Sequence, residues 1–127
     1  LYPVESHLAE KLHAYTMPRE RPNSRVKDLP DMALLADAKN IDAACLREAI
    51  RATFAYRGTH APPHALAPPP AVWEAPYARI AKDGSLPWLT LAAVTQAAQA
   101  FLDPLLLGLA DSVWDSASWS WRPKPTA

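Results

Sequence analysis

At 127 residues the chain is long enough for one domain around one hydrophobic core. Three glycines are too few for the tight turns of a barrel or sandwich, and the fourteen prolines come in clusters. Lys plus Arg and Asp plus Glu both total thirteen, so overall charge gives no case for nucleic-acid or membrane-surface binding. Alanine supplies much of the hydrophobic half, which predicts a thin, helical core. The single cysteine, Cys45, excludes an internal disulfide and suits a reducing cytoplasm. No apolar run approaches the roughly 20 residues of a spanning helix, so no membrane role is expected. The chain begins with Leu1 and is expected to be a piece of something longer.

Val4, Leu8, Leu12 and Tyr15 form one stripe of an amphipathic helix, with Pro3 at its start and Pro18 past its end. A polar, basic loop follows to Val26, with Arg19, Arg21, Arg25 and Lys27 against Glu20 in its neighbourhood. A second helix should start near Lys27, with Pro30 tolerated in its first turn, and fade at "DAKN". Asn40 or Asp42 caps a third helix that turns Ile41, Cys45, Leu46, Ala49, Ile50 and Phe54 to one side and ends at Arg57-Gly58. "THAPPHALAPPP", Thr59 to Pro70, reads as an extended polyproline connection. A short helix carries Pro76 in its first turn and Gly84 after its end. The last long helix runs from about Thr90 to Asp103, where Pro104 kinks or ends it, and Trp119 and Trp121 alternate in a tail compatible with a short strand. The organisation expected is a single helical domain over 1–127: motif-bearing helices over 1–57, a Pro-rich connection over 58–76, then helices and a Trp-rich tail over 77–127.

Chemistry concentrates at the first helix–loop–helix junction. Lys11 lies at the edge of the apolar stripe, with His7 one turn earlier on the same flank. Asp28 and Asp31, three apart, share a face of the second helix's first turn, where the helix dipole favours carboxylates. By spacing alone these charges are a solvated face, with Lys11 a snorkelling lysine.

The wording of the segment adds what spacing does not. Ala9-Glu10-Lys11-Leu12-His13-Ala14 and Arg25-Val26-Lys27-Asp28-Leu29-Pro30-Asp31-Met32 resemble two motifs of the AbiEii-type nucleotidyltransferase toxins. These are the enzyme half of type IV toxin–antitoxin and abortive-infection systems of bacteria. Leu46 to Thr59 and "FLDPLL", Phe101 to Leu106, are similar to later stretches of the same family. The resemblance implies a mainly α chain of four to five helices, the helical C-terminal half of a polymerase-β-type nucleotidyltransferase. Such an enzyme moves a nucleotidyl group from an NTP to tRNA or protein, with Mg²⁺ held by paired carboxylates that clamp the attacking and leaving oxygens. This chain departs from the pattern there. It has no Asp-x-Asp, and its glycines are Gly58, Gly84 and Gly108. Mg²⁺ and NTP therefore belong to the intact enzyme, none is expected in this piece alone, and an N-terminal nucleotidyltransferase half and an antitoxin are implied partners. By the same resemblance Lys11 contacts the triphosphate. Asp28 acts as base or orients the acceptor, Asp31 fixes Lys11 or Arg25, and Arg25 and Lys27 face phosphate or acceptor. The rival reading is a free-standing helical interaction module without catalysis.

The remaining candidates read more plainly. Cys45 is expected to be a small core residue, and Glu10, on another face from Lys11, a structural pairing residue. His7, His13, His60 and His64 lack metal-ligand spacing. Trp73, Trp88, Trp114, Trp119 and Trp121 are expected as buried anchors ahead of a base-stacking platform.

Overall fold

The computed structural model describes residues 3–18 and 25–125. The basic loop residues Arg19, Glu20 and Arg21, singled out from sequence, lie outside the described residues. Helix α1 spans Val4–Thr16 and buries Leu8, Ala9, Leu12 and His13. Helix α2, Asp28–Ala38, buries Leu29, Met32, Ala33 and Ala36 along with Asp28. Pro30 is harmless at its third position, because the first turn's N–H groups have no partner within the helix. Helix α3, Ala43–Arg57, starts with the Asp42 side chain accepting from the Cys45 N–H and stops at Gly58, whose φ of 63° is the left-handed cap a Cβ would resist.

The helical stripe of α3 differs from the one expected. Its buried residues are Ala43, Leu46, Ile50 and Phe54, and Cys45 is exposed. At about 100° per residue, Cys45 points away from that stripe. Ile41 also leaves the helix: with Asp42 it forms the two-residue strand β1.

The connection after Gly58 has no regular structure until a 3₁₀ turn at Ala71–Trp73 leads into helix α4, Glu74–Asp83. Leu66 ties the middle of this connection to the bundle. Leu66 is buried, its N–H donates to Asp103 Oδ1 at 2.8 Å, and its carbonyl accepts from Gln99 Nε2 at 3.2 Å. Both partners lie on helix α5, Leu91–Leu106, which therefore holds the proline-rich segment against the bundle. Pro104 does not stop α5 at Asp103, and the helix runs on to Leu106.

The tail forms a hairpin, β2 (Ser112–Asp115) and β3 (Ser120–Pro123), and β1 completes an antiparallel sheet in the order β1-β2-β3. Ile41 faces Trp114, and Trp114 faces Trp121. The alternating tryptophans suggested the last strand, but the pairing with residues seventy positions earlier in the chain was outside any local pattern. Trp114 is fully buried and donates its indole N–H to the Ala36 carbonyl at 2.9 Å, in the last turn of α2, where carbonyls lack helical partners. Trp121 stacks on Phe101 with an interplanar angle of 6°, and Trp119 meets Trp114 edge-on. Trp119 has φ 52°, an uncommon conformation for a bulky residue. Its indole bond to the Ala97 carbonyl and its contacts with Trp88 and Trp114 hold it there. These are anchors, not an open stacking platform.

Candidate functional site

Because α1 packs between α2 and α3, its polar edge faces the start of one and the end of the other. On the α2 side, Lys11 Nζ lies 3.0 Å from Asp31 Oδ2 and 3.8 Å from Asp28 Oδ1. Arg25 Nε lies 2.8 Å from Asp28 Oδ2. The Asp28 side chain is only 6% exposed, so its charge is countered by two cations that themselves reach solvent. The sequence-selected residues Lys11, Arg25, Asp28 and Asp31 thus form one cluster. Lys27 is exposed at the N-cap of α2 and is not among the residues lining the adjoining cleft.

That cleft, of about 520 Å³, is lined by His7, Glu10, Lys11, His13, Ala14, Met17, Arg25, Arg57 and Thr59. Lys11 and Arg25 enter it from the α2 side, and Arg57 and Thr59 from the end of α3. Asp28 and Asp31 are absent from the lining. They pair with the two cations, and Lys11 and Arg25 line the cleft with an ammonium and a guanidinium group.

Arg57 was read from sequence as the end of a helix only. In the fold its guanidinium donates to Glu10 across 47 residues, so Glu10 is a pairing residue and Arg57 a third cation at the cleft. Next to it, His13 Nε2 and Thr59 Oγ1 are 2.8 Å apart, Thr59 Oγ1 and His60 Nδ1 2.9 Å, and His60 Nε2 and Thr16 Oγ1 2.8 Å. Burial, then the neighbouring His60 and Arg57, lower the His13 pKa from its ordinary value, against the opposing pull of Glu10. His13, Thr59 and His60 had no local signal beyond their polarity, since what joins them is the return of the chain after Gly58 to the last turn of α1.

Cys45 is remote from this site. Its thiol pKa is pushed up by the hydrogen bond with Asp42 and that carboxylate's charge, which disfavours the reactive thiolate. Among the described residues no cluster of His, Cys, Asp and Glu is arranged to hold a metal ion, and both Asp28 oxygens already face cations. The donor set does not fit Mg²⁺. No helix among the described residues is long and apolar enough to cross a membrane.

The family model described as nucleotidyl transferase AbiEii toxin, type IV TA system, matches residues 1–122. The chain belongs to that family. No curated protein and no solved structure matches it. Membership in a type IV toxin–antitoxin family carries with it a nucleotidyltransferase-like function and an antitoxin as a possible partner.

Proposed function

We propose that this AbiEii-family chain is the C-terminal, phosphate-gripping portion of a polymerase-β-type nucleotidyltransferase toxin. With an N-terminal half that supplies the Asp-x-Asp metal centre, it would transfer a nucleotidyl group from NTP to tRNA or protein in the bacterial cytoplasm, in a toxin–antitoxin or abortive-infection system. The observation that carries this reading is the Lys11–Asp28–Asp31–Arg25 cluster on the wall of an open cleft. The carboxylates keep Lys11 and Arg25 aimed without entering the cleft, so the triphosphate meets cations that need no reorganisation. Lys11 takes the triphosphate, Asp31 fixes Lys11, and Asp28 orients Lys11 and Arg25 together. Lys27 serves at most the outer approach of an acceptor, since it lies outside the cleft lining.

The test is reconstitution. Paired with a family segment carrying Asp-x-Asp, Mg²⁺ and labelled NTPs, the chain should support labelling of tRNA or protein. Alone it should support none. Lys11→Ala should abolish labelling in the reconstituted pair. Undiminished labelling by Lys11→Ala would remove this cleft from the reaction and return the chain to the rival role of a non-catalytic interaction module.

A further inference from the structure

A hydroxyl carries one proton, and that fact orients the chain of bonds beside the cleft. Thr16 Oγ1 lies 2.8 Å from the Leu12 carbonyl oxygen, a contact between two oxygens that is favourable only with the hydroxyl proton between them. Thr16 therefore accepts from His60, and His60 Nε2 is the protonated nitrogen. In neutral His60 the other nitrogen, Nδ1, is then an acceptor, so Thr59 donates to it. With its proton spent, Thr59 accepts from His13 Nε2. The direction runs without conflict from His13 through Thr59, His60 and Thr16 to the backbone of α1.

The consequence lies on the other side of the His13 ring. With Nε2 protonated, Nδ1 of neutral His13 carries a lone pair, and no hydrogen bond among the described residues reaches it. No buried side-chain nitrogen or oxygen among them lacks a partner, so Nδ1 is not fully sealed from solvent, although the ring as a whole is buried. The solvent space that His13 borders is the cleft holding Lys11. A proton arriving at Nδ1 leaves the Nε2–H bond to Thr59 intact and so costs the relay nothing. At Asp28, in contrast, both oxygens are already engaged by cations.

We propose that His13 is the proton acceptor of the Lys11 cleft, its Nδ1 kept available for an acceptor hydroxyl by the relay through Thr59, His60 and Thr16. This rests on the nucleotidyl-transfer reading. The hydroxyl oxygen of the acceptor forms a bond to the α-phosphorus. The bond from that phosphorus to the pyrophosphate oxygen breaks, and pyrophosphate leaves with the bonding pair. The hydroxyl proton passes to His13 Nδ1 and then to solvent. Burial is the main cause that lowers the ring's pKa, Arg57 acts with it and Glu10 against it, and a neutral His60 adds no like charge while the relay stands. Thr59, His60 and Thr16 are positioning residues in this scheme.

Histidine ¹⁵N spectra of the full chain at neutral pH should show His13 protonated on Nε2 alone. Thr59→Val, which removes the acceptor, should bring in the Nδ1–H form, and Thr59→Ser should restore the parental spectrum. In the reconstituted transfer assay, His13→Gln keeps a donor toward Thr59 but takes up no proton. It should slow turnover about a hundredfold at saturating NTP, the scale of general-base catalysis. The KM for NTP should hold, and the acidic limb of the rate–pH profile should vanish. A proton on His13 Nδ1 at neutral pH, or a His13→Gln turnover equal to the parent while Lys11→Ala is inactive, would overturn the proposal and leave the phosphate-gripping reading standing. Absence of transfer from every reconstituted pair would defeat that reading, and the base role with it, whatever the spectra show.

Discussion

At the N-terminal junction Lys11, Arg25, Asp28 and Asp31 meet on the rim of a solvent-filled cleft, whereas at the other end Trp114, Trp119 and Trp121 close with Trp88 around Phe101. Both regions tie sequence-distant elements together. The first does so with ion pairs whose cations stay wet, and such pairs contribute little to stability. The second buries large aromatic surface and satisfies each of three indole N–H groups on a helix carbonyl. The proposed site and the aromatic core thus lie in different parts of one small molecule.

The largest expected effect is at Trp114. Trp114→Ala should cost about 3–5 kcal/mol, enough to unfold much of a small domain, because it empties a fully buried site and strands the Ala36 carbonyl. Chemical denaturation reads this directly, and a loss no greater than that of Lys11→Ala would erase the contrast. Gly58→Ala should follow, costing about 1 kcal/mol because φ of 63° is strained for any residue with a Cβ. It should also loosen the turn that returns Thr59 and His60 to α1.

Lys11→Ala should shift the folding free energy by only about 0–1 kcal/mol, since Asp28 keeps Arg25 and Asp31 is open to water. The same variant should lose affinity for inorganic triphosphate, measured by calorimetry. A large stability loss with unchanged affinity would make Lys11 a packing residue. Acid offers a finer test. The folded-state pKa of His13 lies below its ordinary value near 6.5, so its contribution is complete above that value and is lost as pH falls from there through the folded pKa. His13→Gln should flatten that part of the stability–pH curve. Cys45→Ala should change stability by no more than about 0.5 kcal/mol, as for other exposed positions. A cost like that of a core truncation would restore Cys45 to the buried face.

The particular elements show what could be read from the sequence. Helices α1 to α5, the cap at Asp42, the stop at Gly58 and the irregular run from Thr59 to Pro70 all follow from spacing, proline and glycine, which act within a few residues of themselves. The Lys11 and Asp28 motifs were legible because matched wording marked them, although spacing alone favoured a solvated face. Cys45 was misplaced because several apolar residues crowd α3 and only packing decides which stripe turns inward.

Composition, local backbone preference and the two motifs in α1 and α2 therefore determined a mainly helical chain and picked out Lys11, Arg25, Asp28 and Asp31, which the fold brings together. The tertiary structure decided the β1-β2-β3 sheet, the seating of Leu66 on α5, the Glu10–Arg57 pair and the His13–Thr59–His60–Thr16 relay. Each of these joins groups at least 33 positions apart at one or more of its contacts. Their energies exist only after the intervening chain has been ordered, so no neighbouring residue announces them.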